Sequence, residues 1–83
     1  MSIDPNAFVS LLRPGVLAVN ADICDEVKGA NIFVDTTFDD GEIVVRSGHK
    51  RAVVFERGWE NRSKDELLGV AAKNVTAAVR KLY

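Results

Sequence analysis

Apolar positions along the 83-residue chain change from helical to alternating spacing and back, and this change predicts the order of the secondary-structure elements. Asp4-Pro5 is a typical helix start, with Asp as N-cap and Pro at the first helical position. Apolar residues recur at helical spacing up to Pro14-Gly15, which predicts the end of this helix. A second short helix is predicted over 21–27, and residues 16–19 are equally compatible with a short strand.

Three segments rich in β-branched and aromatic residues follow, and they predict strands over 31–38, 42–46 and 50–57. Asp39-Asp40-Gly41 and Ser47-Gly48-His49 are short turn sequences between them, so the strands are expected to form an antiparallel meander. Alternating positions predict that one face of the sheet packs on helices. The apolar residues expected on the faces of the sheet are Ile32, Val34, Phe38, Ile43, Val45, Val53 and Phe55.

The C-terminal segment carries the clearest helix signal. Ser63 to Glu66 match a capping box, in which Ser is the N-cap and Glu lies three residues further on. An apolar stripe at spacings of three and four follows, comprising Leu67, Leu68, Ala71, Val75, Ala78, Val79 and Leu82. The sequence therefore predicts an α+β fold of order α(α)βββα. We expect residues 1–83 to form a single domain, with the three-stranded meander packed on helices.

Composition is that of a soluble folded domain, with 47% hydrophobic and 28% charged residues. Cys24 is the single cysteine, which excludes an internal disulfide and favours a reducing compartment. The N-terminal residues lack a basic stretch followed by an apolar run, so no signal peptide is expected. No stretch of the chain approaches the roughly 20 apolar residues needed to span a membrane, and no membrane association is expected. These features predict a cytoplasmic protein, in the host cytoplasm if a phage encodes it.

Charge is distributed unevenly along the chain. Residues 1–45 contain eight acidic and two basic residues, whereas residues 46–83 contain nine basic and four acidic ones. The two parts carry net charges of −6 and +5, and the whole chain carries −1. Either the two halves neutralise each other across the fold, or one of them supplies an interaction surface.

Residues suited to catalysis are scarce, and we predict no enzyme, no catalytic residue, no metal site and no cofactor. His49 lies in a predicted turn, where no neighbour would hold it as a general base. Cys24 is followed by two carboxylates, which do not activate a thiol, and it is expected to pack in or near the core. Trp59 lies between the last strand and the last helix. It is expected either to cover the edge of the core or to anchor an interface.

The hairpin sequence TTFDDGEIVVRSG, from Thr36 to Gly48, resembles the central meander of some small phage-encoded anti-CRISPR proteins. In that family an acidic surface imitates nucleic-acid phosphate and blocks the nucleic-acid path of a host complex. The resemblance implies a partner-binding acidic patch. Its residues would be Asp22, Asp25, Glu26, Asp35, Asp39, Asp40 and Glu42.

The segment SKDELLGVAAK is similar to the last helix of double-stranded-RNA-binding domains, in which Ser63, Lys64, Ala71, Ala72 and Lys73 match the family pattern. Two further lysines of that pattern, which contact phosphates, are replaced here by Asp65 and Leu67. This resemblance implies an RNA- or DNA-binding domain, and the candidate surface for that alternative is a basic and aromatic set. Its residues would be Arg46, Lys50, Arg51, Arg57, Trp59, Arg62 and Lys64.

The leading hypothesis from the sequence is a non-enzymatic protein-binding module, a small phage or mobile-element inhibitor of a host nucleic-acid-handling complex of the CRISPR type. Separated charge and the lack of catalytic groups favour it. An RNA- or DNA-binding domain is the alternative. A structural phage subunit or an oligomeric subunit, such as a homodimer, is the third hypothesis.

Overall fold

A computed structural model describes residues 3–29 and 32–83 of the chain. Helix α1 comes first, and a three-stranded antiparallel sheet in the order β1-β2-β3 follows, with a short 3-10 turn and helix α2 after it. The bounds are α1 Pro5–Val27, β1 Asp35–Asp39, β2 Glu42–Ser47, β3 Lys50–Phe55, the 3-10 turn Trp59–Asn61 and α2 Lys64–Arg80. The α+β class and the α-β-β-β-α order predicted from the sequence are confirmed.

Helix α1 is continuous through Pro14-Gly15, so the predicted helix end at this point is wrong. The Asp4 carboxylate caps the helix by accepting a hydrogen bond from the Asn6 backbone N–H at 3.2 Å, as the sequence predicts. A proline inside a helix removes one backbone hydrogen bond, and its ring clashes with the carbonyl group four residues earlier. Here Pro14 is exposed, and the buried stripe Phe8, Leu12, Val16 and Ile23 holds the helix on the core on both sides of it. The predicted helix over 21–27 is present as the last part of α1, which rules out a strand over 16–19.

Helix α1 ends where Lys28 adopts a left-handed conformation, with φ of 53°. The predicted first strand began at Asn31, which lies outside the described residues, and β1 begins only at Asp35. The second strand extends one residue further than predicted, to Ser47, and the third stops two residues earlier, at Phe55. Arg57 lies in the turn that follows β3, and its side chain contacts the tip of the first hairpin.

The tip of the hairpin between β1 and β2 is a tight turn with two positive φ angles. They are 50° at Asp40 and 82° at Gly41, a geometry that favours the Asp-Gly sequence. A Cβ atom at Gly41 would lie 3.0 Å from the Arg57 side chain. Arg57 closes over the turn, donating to the Asp40 backbone carbonyl at 3.0 Å and to the Asp40 carboxylate at 2.8 Å. Glycine at position 41 thus allows both the turn and the arginine contact.

An irregularity in the register between β2 and β3 changes the predicted inward face of β3. Ile43 lies opposite Phe55 and Val44 opposite Val53, so Val54 has no register partner on β2. This extra residue is typical of a β-bulge. Val54 and Phe55 are both buried in the core, while Val53, predicted as a core residue, is only half-buried. Strict alternation predicts Phe55 correctly and is wrong for Val53.

Three aromatic side chains form the centre of the core at the hairpin end of the molecule. The ring centroid of Phe8 lies 5.1 Å from that of Trp59 in a stacked arrangement and 5.7 Å from that of Phe55. Phe38 packs edge-on against Trp59, with centroids 6.2 Å apart, and keeps 40% of its surface exposed. Trp59 is only 2% exposed, so it packs within the core and does not present its ring at the surface.

Helix α2 begins as predicted, because the Ser63 hydroxyl accepts a hydrogen bond from the Glu66 backbone N–H at 3.2 Å. Such an N-cap stabilises a helix by about 1 kcal/mol. The Glu66 carboxylate pairs with Arg62 at 3.1 Å. Most of the predicted stripe is buried, but Leu68 is 42% exposed because it lies at the outer rim between the two helices.

Asn20 is the buried polar residue that ties three parts of the chain together. Its side-chain amide donates to the Ile32 carbonyl at 3.0 Å, and its side-chain oxygen accepts from the Tyr83 hydroxyl at 2.6 Å. The pKa of Tyr83 is raised above its ordinary value, chiefly because the hydroxyl is desolvated and secondarily because Cys24 is nearby. The C-terminal residue is thereby anchored to the middle of α1.

Candidate protein-binding surface

Residues with catalytic or metal-binding chemistry lie apart from one another in the structure. His49 is exposed in the turn between β2 and β3. The Cys24 thiol is half-buried and donates a hydrogen bond to the Gly29 carbonyl at 3.3 Å. No group of three His, Cys, Asp or Glu side chains suited to a metal ion occurs within 3–29 and 32–83.

The seven acidic residues of the predicted patch lie at separate places in the fold. Asp39, Asp40 and Glu42 are at the tip of the first hairpin, close to Phe8 near the start of α1. The acidic residues of α1, Asp22, Asp25 and Glu26, begin 14 residues beyond Phe8, about 21 Å further along the helix. Asp35 lies at the opposite end of β1 from the hairpin tip. The structure therefore does not gather these seven residues into one surface.

Basic residues from the second half of the chain neutralise most of these carboxylates. Arg51 lies 2.9 Å from Glu42 and 3.7 Å from Asp39. Further ion pairs join Arg57 to Asp40 at 2.8 Å and Arg80 to Glu26 at 2.9 Å. Asp35 lies opposite Arg46 in the strand register. These pairs support mutual neutralisation of the two halves as the explanation of the uneven charge.

The predicted basic and aromatic set is also dispersed and partly neutralised. Arg51, Arg57 and Arg62 are each held by carboxylates, and Trp59 is buried where a nucleic-acid base could not stack on it. The remaining members, Arg46, Lys50 and Lys64, are exposed. Arg46 and Lys50 flank the turn between β2 and β3, whereas Lys64 begins α2 after the opposite end of β3.

A groove of about 490 Å³ runs between the end of β3 and α2. Its basic residues are Arg57, Arg62 and Lys81, and the first two are engaged with Asp40 and Glu66. Asn74 donates from its side-chain amide to the Val54 carbonyl at 3.0 Å. This bond covers part of the open edge of β3, which protects the sheet from pairing with other strands.

A face of α1 that was not predicted from the sequence is exposed and largely apolar. We call it the outer face of α1, and all of its residues are exposed. They are Ala7, Ser10, Leu11, Pro14, Gly15, Leu17, Ala18 and Ala21. Leu11 and Leu17 are 50% and 59% exposed, which is unusual for large apolar side chains. No charged residue belongs to this face.

Neighbouring residues extend the outer face of α1 on both sides. On one side a groove of about 300 Å³ between the helices is lined only by apolar residues and glycine, and includes Leu11, Leu68 and Ala72. On the other side Phe33, 81% exposed, shares a pocket with Leu17. The single charged residue on α1 between Pro5 and Ala21 is Arg13, which donates to the Thr36 carbonyl at 3.4 Å across to β1.

The continuity of α1 explains why the outer face was not apparent from the sequence. A break at Pro14-Gly15 would split these residues between two short elements with different orientations. As one helix of 23 residues, α1 is long and apolar enough, by length and composition alone, to span a membrane. Core helices of soluble proteins also meet that criterion, but only 33% of the most apolar 18-residue stretch of α1 is buried in the fold. The expectation that no such apolar segment exists is therefore wrong.

Comparisons with protein-family models, with curated proteins and with solved structures gave no match to this chain. The resemblances to anti-CRISPR proteins and to double-stranded-RNA-binding domains therefore stay predictions.

Proposed function

We propose that this protein is a non-enzymatic protein-binding module that binds its partner through the outer face of α1. The observation that carries the proposal is the exposure of an uncharged, largely apolar helix face between Ala7 and Ala21, about 21 Å long. Contiguous apolar surface on a soluble protein is costly in water and is typical of interaction sites. Leu11 and Leu17 are the large side chains that a partner would bury.

A protein partner fits this face better than a nucleic acid does. Nucleic-acid affinity comes mainly from lysine and arginine contacts to phosphate, and the outer face of α1 contains neither residue. Three of the four arginines of the alternative set, Arg51, Arg57 and Arg62, are already paired with carboxylates. Those pairs would have to be broken before the arginines could contact phosphate.

Inhibition of a host nucleic-acid-handling complex is retained as one proposal for the biological role of such binding. Imitation of phosphate by the seven acidic residues is a weaker basis for it, because four of them are paired with arginine and the set is dispersed. We therefore place the contact at the apolar helix face. The identity of the partner is the result that the following experiment delivers.

A photo-crosslinking amino acid placed at Ala18 should give covalent adducts in cells of the source organism. The same amino acid at Ala77 is the matched control, because Ala77 is also an exposed alanine on a helix but lies on α2 beside the β3 groove. We expect adducts that are strong from position 18 and absent from position 77. The mass of each adduct, followed by peptide sequencing, identifies the partner.

Equal adduct patterns from both positions, or none from position 18, would contradict the proposed function. A second variant carries the crosslinker at position 11. Adding Ala18→Glu to this variant should abolish its adduct, because the glutamate places a charge in the binding face. The corresponding addition of Ala77→Glu should leave the adduct unchanged.

The nucleic-acid alternative is tested by fluorescence polarisation with duplex and single-stranded DNA and RNA at about 50 mM and about 200 mM salt. We expect no appreciable binding at either concentration. Tight binding that weakens about 10³-fold or more over this range would indicate several phosphate contacts. That result would favour the nucleic-acid function over the proposed one.

A further inference from the structure

We infer that the partner of the outer face of α1 is a second copy of this chain, with the two α1 helices packed antiparallel. This inference rests on the proposed function and names its partner. It is carried by three properties of α1: the spacing of its exposed residues, the charges near its two ends and the small size of its exposed side chains.

Spacing along the outer face matches the seam of a helix pair. Alternating steps of four and three connect successive residues, as in a heptad repeat. The series is Ala7, Leu11, Pro14, Ala18 and Ala21 of the outer face, and the charged Asp25 continues it one turn beyond that face. Positions at this spacing form a nearly straight stripe along one side of a helix. Such a stripe fits an equivalent stripe on another helix, and a two-fold axis requires this self-complementarity.

Side-chain size allows the two helices to approach closely. Apart from Leu11 and Pro14, the apolar members of the stripe are alanines, which leave shallow spaces along the helix surface. A leucine from one helix can occupy such a space on another, in the manner of a knob in a hole. Leu11, half-exposed in one copy, would lose its contact with water in the pair.

Charges near the ends of α1 select the antiparallel orientation. The C-terminal part carries Asp22, Asp25 and Glu26, followed by the C-cap Lys28, whereas the N-terminal end carries one carboxylate, that of the N-cap Asp4. The three acidic residues of the C-terminal part are the reverse of what the helix dipole favours, since anions are stabilised at the positive N-terminal end. Arg80 neutralises Glu26, but no ion pair to Asp22 or Asp25 is found among the described residues. An antiparallel second copy brings its N-terminal end to these aspartates, whereas a parallel copy would bring a second set of acidic residues.

In one register of the antiparallel pair the two stripes face each other along their whole length, and the acidic end of each helix lies beside the N-terminal end of the other. This register places Asp25 beside Ala7 of the second copy, Leu11 against Ala21 and Pro14 against Ala18. The Asp25 carboxylate then lies near the first turn of the other helix, where Pro5 has no N–H and the Asn6 and Phe8 N–H groups already bond Asp4, so the Ala7 N–H is the donor left for it. In the same register Lys28 lies opposite Asp4 of the second copy. The two-fold axis passes near the middle of α1, and each contact occurs twice.

The interface in this register is small, so the dimer should be weak. It overlaps over residues 7–25, about 27 Å of helix. Stable interfaces remove about 800 Å² from each partner, which requires contributions from the flanking Leu17, Leu68 and Ala72 as well. The Ser10 carbonyl, which Pro14 deprives of its helical donor, needs a water or a side-chain donor in the pair. Association should therefore depend on concentration.

Sedimentation equilibrium from about 10 µM to about 1 mM, a range suited to weak association, tests for the dimer. The average mass of the wild type should rise from 9.1 kDa toward twice that value. Ala18→Glu should remain at the monomer mass throughout, and Ala77→Glu should associate like the wild type. Circular dichroism of both variants should match the wild type, because both alanines are exposed.

Disulfide crosslinking in a Cys24→Ser background tests the orientation. A Leu11→Cys chain mixed with a tagged Ala21→Cys chain should form mixed disulfides, while Ala7→Cys alone should form none. A parallel pair would give the opposite result, because the Ala7 positions of the two copies would then be adjacent. Efficient Ala7→Cys homodimers would overturn the antiparallel arrangement.

Failure of the inference and failure of the proposed function give different results. A wild type that remains at 9.1 kDa over the whole range overturns the dimer, as does an Ala18→Glu variant that associates normally. The proposed function survives either result if the crosslinker at position 18 captures a different protein. Both fail if the wild type is monomeric and position 18 captures nothing.

Discussion

Replacing Phe55 with alanine is expected to remove a large part of the free energy of unfolding of this domain. Phe55 is 3% exposed, and its ring packs 5.7 Å from that of Phe8 at the centre of the aromatic core. Removing a buried phenylalanine side chain costs about 3–5 kcal/mol. A domain of this size has a total stability of roughly 4–12 kcal/mol at about 0.05–0.15 kcal/mol per residue. Urea titration followed by circular dichroism measures the loss.

Phe38→Ala is the matched control for this prediction. It removes the same side chain from the same aromatic cluster, but Phe38 is 40% exposed and contacts only the edge of Trp59. Its cost should be well below that of Phe55→Ala because less apolar surface returns to water. Equal losses from the two variants would place Phe55 outside the core.

Asn20→Ala should cost about 1–3 kcal/mol, chiefly because the Ile32 carbonyl is left without its donor. The variant leaves the Ile32 carbonyl and the Tyr83 hydroxyl without the hydrogen bonds of 3.0 Å and 2.6 Å that Asn20 supplies. The segment before β1 and the C-terminal residue should both loosen from α1. Thermal unfolding measures the total, and amide hydrogen exchange at residues 32–34 and 82–83 locates it.

Asn61→Ala, an exposed asparagine in the 3-10 turn, is the control and should change stability little. Tyr83→Phe removes only the hydrogen bond between the Tyr83 hydroxyl and Asn20, and the pH dependence of its stability provides a second measurement. Because the folded state raises the pKa of Tyr83, the protonated hydroxyl contributes stability that is complete below pH 10.0 and is lost as the pH rises through the folded-state pKa. The phenylalanine variant should lack this alkaline loss. Identical alkaline profiles for the two proteins would contradict the role given to Tyr83.

The sequence was sufficient to predict those elements that are stabilised by residues close together in the chain. Ser63 and the stripe beginning at Leu67 lie within one helix, so their spacing was enough to place α2. The same local reasoning placed a helix end at Pro14. Whether a proline interrupts a helix depends on which side it faces and on what the flanking turns bury. Those contacts are made by residues distant in the sequence.

Strand register and charge pairing were inaccessible for a related reason. The bulge that turns Val53 outward exists only in the pairing between β2 and β3. The uneven charge of the two halves was visible in the sequence, but the partners of Arg51 and Arg80 were not. Arg80 lies 54 residues from Glu26 in the chain, and only the packing of α1 on α2 brings them to 2.9 Å.

The position of Trp59 has a spectroscopic consequence. It is the single tryptophan of the chain, it stacks on Phe8, and its indole Nε1 has no hydrogen-bond partner in the described part of the chain. An indole held away from water emits at short wavelength and resists soluble quenchers. Unfolding should therefore shift the emission to longer wavelength, while pairing through the outer face of α1, which does not include Trp59, should leave the emission unchanged. In every variant that retains Trp59, the emission wavelength therefore distinguishes unfolding from a loss of association.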